Sequence, residues 1–291
     1  SLWAFSFSLI GEYLAGSVDS YFSVLMRVGL AALVFLPFLR TRGQSPRTIV
    51  LYMLVGAMQL GIMYLLAFRA YLYLTVSEFL LFTVFTPLYI TLIYDLLSGR
   101  KLRWGYLLSA ALAVLGAAII RYDKVSDHFW TGLLLVQLSN LCFAIGMVGY
   151  KRLMEVRPMP QHNAFAWFYV GAFIVAVAAW FMLGNAQKLP TTTLQWSVLV
   201  WLGVVASGLG YFMWNYGATQ VDAGTLGIMN NVHVPAGLLV NLAIWQEQPH
   251  WPSFISGALV ILASLWVHRR WVAPHSGQRA DDRRRGSGQS E

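Results

Sequence analysis

Glu12, Arg27, Arg69 and Glu78 are ionisable side chains that stand inside four different, largely apolar stretches. A charge is costly in hydrocarbon and rarely faces lipid, so each is a candidate for pairing, for holding a charged substrate or for passing a proton. Glu12, Arg27 and Glu78 are the candidates for charge or proton handling. Arg69 and Glu78 lie close to the ends of their runs, where ion pairing or snorkelling to the interface is the competing use. His233 is the one histidine deep in an apolar run, and its ordinary titration range suits a proton-coupled step.

Aromatic and amide side chains form the second group. Tyr64, Phe68 and Tyr71 follow one another at spacings of four and three, which places them on one face of a helix, and Glu78, Phe82, Phe85 and Tyr89 do the same. Further along come Tyr211, Trp214 and Asn215, and then a polar stripe of Asn230, His233, Gly237 and Asn241; Gln137 and Asn140 lie one turn apart. A polar stripe turned to lipid would leave its hydrogen bonds unmade, so these residues must face the bundle interior or a watery cavity. The candidate substrate-binding residues are therefore Tyr64, Phe68, Tyr71, Phe82, Tyr89, Asn140, Tyr211, Trp214, Asn230 and His233. Aromatic stripes also serve as packing. Their pairing with amides predicts a ligand with one flat apolar part and one polar or zwitterionic part, because stacking and hydrogen bonding address the two separately. Pro87 and Pro235 interrupt the helical ladder and are candidate hinges, or else fixed kinks. Gly203, Ser207 and Gly208 are expected to let helices approach closely.

The catalytic signatures are missing. The sequence has no Gly-Lys-Ser/Thr phosphate loop, no His-Glu-x-x-His and no Gly-x-Ser-x-Gly, and Cys142 is its single cysteine. No catalytic residue, metal or cofactor is expected, and a transporter is expected in place of an enzyme. A membrane scaffold, or an enzyme with an unfamiliar motif, is the alternative of another class. The expected partners are a small-molecule substrate and the lipid bilayer, with no nucleic acid, and a monomer is compatible with the pattern.

The elements that must position these residues are membrane-spanning helices. Hydrophobic residues make up 58% of the 291 positions and charged ones 11%, against about 25% charged in an ordinary soluble domain. Ten apolar runs are long enough to be spans or nearly so, roughly 2–15, 21–39, 48–73, 76–97, 102–120, 130–154, 163–183, 194–217, 223–245 and 252–271. The first has no basic flank and no cleavage site; it is expected to be a span that starts before Ser1, not a signal peptide. With the N-terminus inside, the segments between spans and at the C-terminal end put fifteen of the twenty basic residues in the cytoplasm and three outside, so both termini are expected to be cytoplasmic. Residues 68–116, shifted by 148 positions without a gap, match 216–264 in hydropathy outline, and Pro87 falls on Pro235. Two copies of five spans cross the membrane in opposite directions. The expectation is thus an all-α integral membrane protein of ten helices in two inverted five-helix repeats, 1–121 and 128–272, with a disordered basic tail at 273–291.

Pro235 with Glu247 twelve residues on in Trp-Gln-Glu-Gln-Pro-His-Trp251, the Gly257-Ala258 of the last run, and Tyr150-Lys151-Arg152 closing the sixth carry a resemblance to a known family. The chain resembles the drug/metabolite transporter superfamily, in its ten-helix members built of two EamA-type repeats. Gly99 departs from the pattern, standing where the second repeat has Glu247. The aromatic interior is similar to that of a bacterial exporter of aromatic amino acids within the superfamily. The resemblance implies a cavity lined by spans 1, 3, 4, 6, 8 and 9, with spans 5 and 10 supporting. It also implies alternating access at the bacterial inner membrane and export of amino acids, aromatic ones preferred. An exchanger of phosphorylated sugars or of other metabolites or drugs is the alternative.

Overall fold

The computed structural model describes residues 2–97 and 127–221, with scattered positions between 112 and 266, Asn230 among them; every regular element among these residues is a helix. Among the described residues, six helices are long and apolar enough to cross a membrane: Ser20–Phe38, Pro46–Ala70, Val76–Leu97, Phe129–Val156, Gln161–Leu183 and Thr193–Ala218. A shorter helix, Leu2–Leu9, runs on into a π-helical turn at Ile10–Leu14 and precedes them. These are the first four and the sixth to eighth of the expected spans, and they keep those ordinals below. The fifth, ninth and tenth spans, apart from scattered positions, and the tail lie outside the described residues, as do His233 and Pro235.

Polarity in this bundle runs outward to apolar. Leu33, Leu54, Leu134, Phe181, Met182 and Met213 are each more than half exposed, whereas Arg27, Gln59, Asn140, Asn163, Ser207 and Asn215 are buried. That is the arrangement lipid imposes, since a polar side chain can be satisfied only inside the bundle.

Helix starts are written locally. The side chain of Asp19 accepts from the Phe22 amide at 2.9 Å to cap the second span, and Ser45 caps the third with Pro46 just inside it. Thr75 with Glu78, and Thr192 with Gln195, form capping boxes on the fourth and eighth.

Two devices then shape the interior. The first is close approach. A Cβ on Gly56 would lie 1.9 Å from the Phe168 carbonyl oxygen, and one on Gly171 equally close to that of Met53, so the third and seventh spans touch backbone to backbone. The second is departure from regular helix. The third span carries a π-helical turn at Ala57–Ile62 and the eighth one at Leu202–Leu209, positions that overlap when the former is moved by 148 residues. In the fourth span, Pro87 has no N–H to bond the Thr83 carbonyl; the helix tightens to a 3-10 turn at Thr83–Phe85, and Thr86 Oγ1 takes that carbonyl at 2.7 Å. The Phe82 carbonyl accepts instead from the sixth span, from Asn140 Nδ2 at 3.0 Å and Gln137 Nε2 at 3.3 Å.

Candidate substrate-binding site

Arg27 is the centre of the site. It lies midway along the second span, 3% exposed, and its Nε donates to Ser207 Oγ of the eighth span at 2.6 Å. Ser207 reaches it because Gly203, one turn earlier, lets the two helices close; a Cβ there would stand 2.7 Å from that of Leu30. The π-helical turn around Ser207 offsets the backbone ladder, and neighbouring side chains take its carbonyls. Trp3 Nε1 donates to Ala206 O at 3.2 Å, and Tyr169 Oη to Ser207 O at 2.5 Å. The same π turn that aims Ser207 at Arg27 thereby holds the first and seventh spans against the eighth.

The guanidinium carbon of Arg27 lies 4.1 Å from the centre of the Tyr64 ring, and Tyr64 Oη shares Ser207 Oγ at 2.9 Å. This is a cation on an aromatic face with one hydroxyl partner. Beyond it a cavity opens, walled by Trp3, Phe7, Tyr64, Phe68, Tyr71, Phe79, Phe143 and Tyr211, with Thr83, Thr86, Ser139, Asn140 and Asn230 between the rings. The walls brace one another: Tyr71 stacks on Phe79 at 4.3 Å, and Tyr211 packs against Trp3 at 4.7 Å and edge-on to Tyr64 at 5.8 Å. Two polar atoms of this wall, Tyr71 Oη and Asn230 Nδ2, are buried without a hydrogen-bond partner. The described lining contains Arg27 and neither Asp nor Glu.

Of the residues predicted from sequence, Tyr64, Phe68, Tyr71, Asn140, Tyr211 and Asn230 line this cavity. Three stand behind it. Phe82 packs edge-on against Phe129 at 5.9 Å, Tyr89 donates to Gln137 Oε1 at 3.1 Å, and Trp214 packs on Trp3 at 5.2 Å with its Nε1 on Met147 Sδ. On the fourth span the cavity takes the neighbouring face, Phe79, Thr83 and Thr86, while the Phe82/Phe85/Tyr89 stripe is buried or half-buried beside it. The expected charges separate as well. Glu12 is exposed, Glu78 accepts from the Thr75 amide at 2.9 Å as a helix cap, and Arg69 sits 5.9 Å from the Tyr21 ring. Of the four, Arg27 is the one in the wall. Pro87 shapes the 3-10 turn described above.

Trp3, Ser6 and Phe7 of the first span and Ser207 of the eighth were not singled out for the site. Trp3 and Phe7 stand four apart, the spacing of one helix face, so the signal was present in a run too short to weigh. Ser207, in a glycine-rich stretch, looks like a packing residue.

A model of the EamA-like transporter family matches residues 1–122 and 130–269. Over its full length the chain is 82% identical to the biotin transporter of Escherichia coli K12, covering 97% of that protein. It is 56% identical to the probable biotin transporter of Pseudomonas aeruginosa, over 92% of this chain and 94% of that one. A solved structure described only as a crystal structure of a protein superposes with a TM-score of 0.64 at 17% identity, covering 91% of this chain and 93% of the other, which shows a shared fold. The relatives overturn the expectation of amino acid export with aromatic preference. The cavity supplies a physical reason: an α-ammonium group would need an anionic or strongly accepting partner, and the described lining holds a cation and no carboxylate.

Proposed function

Because this chain belongs to the EamA-like transporter family, a family of membrane transporters and not of enzymes, we propose that its small-molecule substrate is biotin. Biotin is a fused bicycle, an apolar thioether ring sharing an edge with a cyclic urea, and the thioether ring carries a pentanoate carboxylate on the side away from the urea. The observation that carries the reading is the composition of the wall: aromatic rings for the apolar body, amide and hydroxyl groups for the urea, and one buried cation with no acidic neighbour in the described lining. The high identity to biotin transporters supports it.

The path is proposed to run between two inverted halves, 1–121 and 128–272, in the bacterial inner membrane, with both termini cytoplasmic and the halves rocking to open each side in turn. The loop charge asymmetry supports the orientation. The matching π-helical turns in the third and eighth spans support the repeat, since each half then carries the same irregularity in its third helix.

Uptake of labelled biotin into proteoliposomes holding the purified protein tests the substrate. Saturable flux inhibited by unlabelled biotin and desthiobiotin, and not by tryptophan or phenylalanine, is the expected result. Folded protein that moves no biotin, or that tryptophan inhibits as strongly as biotin does, would sink the reading.

A further inference from the structure

A buried guanidinium needs compensation, because an isolated charge in a low-dielectric interior is strongly unfavourable. At Arg27 the compensation from described residues is partial. Its Nε is satisfied by Ser207 Oγ, and the Tyr64 ring covers one face of the group. Its two terminal nitrogens, which present four N–H donors in a planar fork, make no hydrogen bond or ion pair with a described residue. The fork belongs to a residue of the cavity wall, which Tyr64, Tyr71 and Tyr211 also line. Of these, Tyr71 Oη is itself buried and unpartnered. An arginine fork and an unpartnered phenolic donor in the wall of one cavity are complementary to a carboxylate, which accepts two parallel N–H bonds from the fork and has lone pairs left for a hydroxyl.

We infer that Arg27 is the group that recognises the ligand's carboxylate, with Ser207 and Tyr64 fixing its orientation and Tyr71 as a second donor, so that the transporter selects the free acid over neutral esters and amides. This rests on the reading of the cavity as the biotin site. It also orients the ligand, with the pentanoate toward the second and eighth spans and the bicyclic head toward Asn140 and Asn230. Two terminal bonds to a charged acceptor are worth roughly a tenfold or larger preference for the acid.

Competition against labelled biotin in proteoliposomes tests this with wild-type protein, Arg27→Lys and Arg27→Gln, using biotin and biotinamide as unlabelled competitors. In the wild type, biotin is expected to inhibit at a concentration roughly tenfold or more below that of biotinamide. Arg27→Gln is expected to lose that preference because biotin weakens while biotinamide does not, and Arg27→Lys to keep part of it. A wild type that treats acid and amide alike overturns the assignment without any variant, which covers the case in which Arg27→Gln fails to fold. A folded Arg27→Gln that retains the full preference overturns it too. Absence of biotin flux in the wild type is a separate outcome: it removes the functional reading, and this assignment with it.

Discussion

At the scale of single residues, the site is one charge held in place by neutral groups. If Arg27 holds the ligand's carboxylate as proposed, Ser207 acts on the ligand through it, and Ser207→Ala is expected to raise the KM for biotin about tenfold, the size of one lost hydrogen bond to a charged group, with a smaller change in kcat. Tyr64→Phe keeps the ring under the guanidinium and is expected to raise KM no more than about threefold. Concentration series of initial uptake check both, and a Ser207→Ala protein with unaltered KM would show that Arg27 needs no such support. Arg27 was legible in the sequence because a charge amid apolar residues is conspicuous. Tyr64, Tyr71 and Tyr211 were legible from their spacing along regular helix. Glu12 was equally conspicuous and points outward, since a π-helical turn spans Ile10–Leu14 and regular helical phasing does not hold across it. Ser207 was illegible because nothing in Ala-Ser-Gly distinguishes a serine that packs from one that holds an arginine.

At the scale of elements, close contacts and broken ladders decide which face of each helix meets the cavity. Ideal spacing points Phe82 and Tyr89 into the cavity, but the 3-10 turn at Thr83–Phe85 interrupts that spacing, and aromatic bulk there fills the join to the sixth span. Thr83 and Thr86 occupy the wall instead, small enough to leave space. The contact of the third and seventh spans makes a sharp prediction. Gly171→Ala puts a methyl carbon against the Met53 carbonyl and is expected to cost at least the upper end of the roughly 1–3 kcal/mol typical of overpacked sites. Gly217→Ala, with no described atom within 4 Å of the added carbon, is expected to be neutral or slightly stabilising. Cys142, half-buried and the sole thiol, reports unfolding to a thiol-reactive dye, so melting curves compare the two variants directly. Equal melting temperatures would mean that the third and seventh helices separate without penalty.

At the scale of the whole molecule, the composition made the membrane class legible, and the all-helical bundle followed from hydropathy alone. The interior joints did not, because amide pairing between distant helices leaves no periodic trace. Gln59 in the third span and Asn215 in the eighth are fully buried and exchange two hydrogen bonds, at 3.0 and 3.1 Å. Removing one partner leaves the other unsatisfied at about 1–3 kcal/mol, whereas replacing both by apolar groups is close to neutral. Gln59→Leu and Asn215→Leu are therefore each expected to lower the melting temperature more than the double variant does; a double variant as unstable as the sum of the singles would show that the pair is not a closed unit. The π-helical turns at Ala57–Ile62 and Leu202–Leu209 bear on the molecule in a different way. Such a turn holds one residue more than the α-helix it interrupts. Deleting a single residue from either would leave a segment still long enough and apolar enough to span the bilayer. The deletion would remove that extra residue, so the turn would close into regular α-helix with Tyr64 and Tyr211 still on their present faces, whereas the same deletion in regular helix would swing every side chain beyond it about 100° around the helix axis. What the shortened eighth span would lose is the pair of offset carbonyls, at Ala206 and Ser207, that tie the first and seventh spans to it.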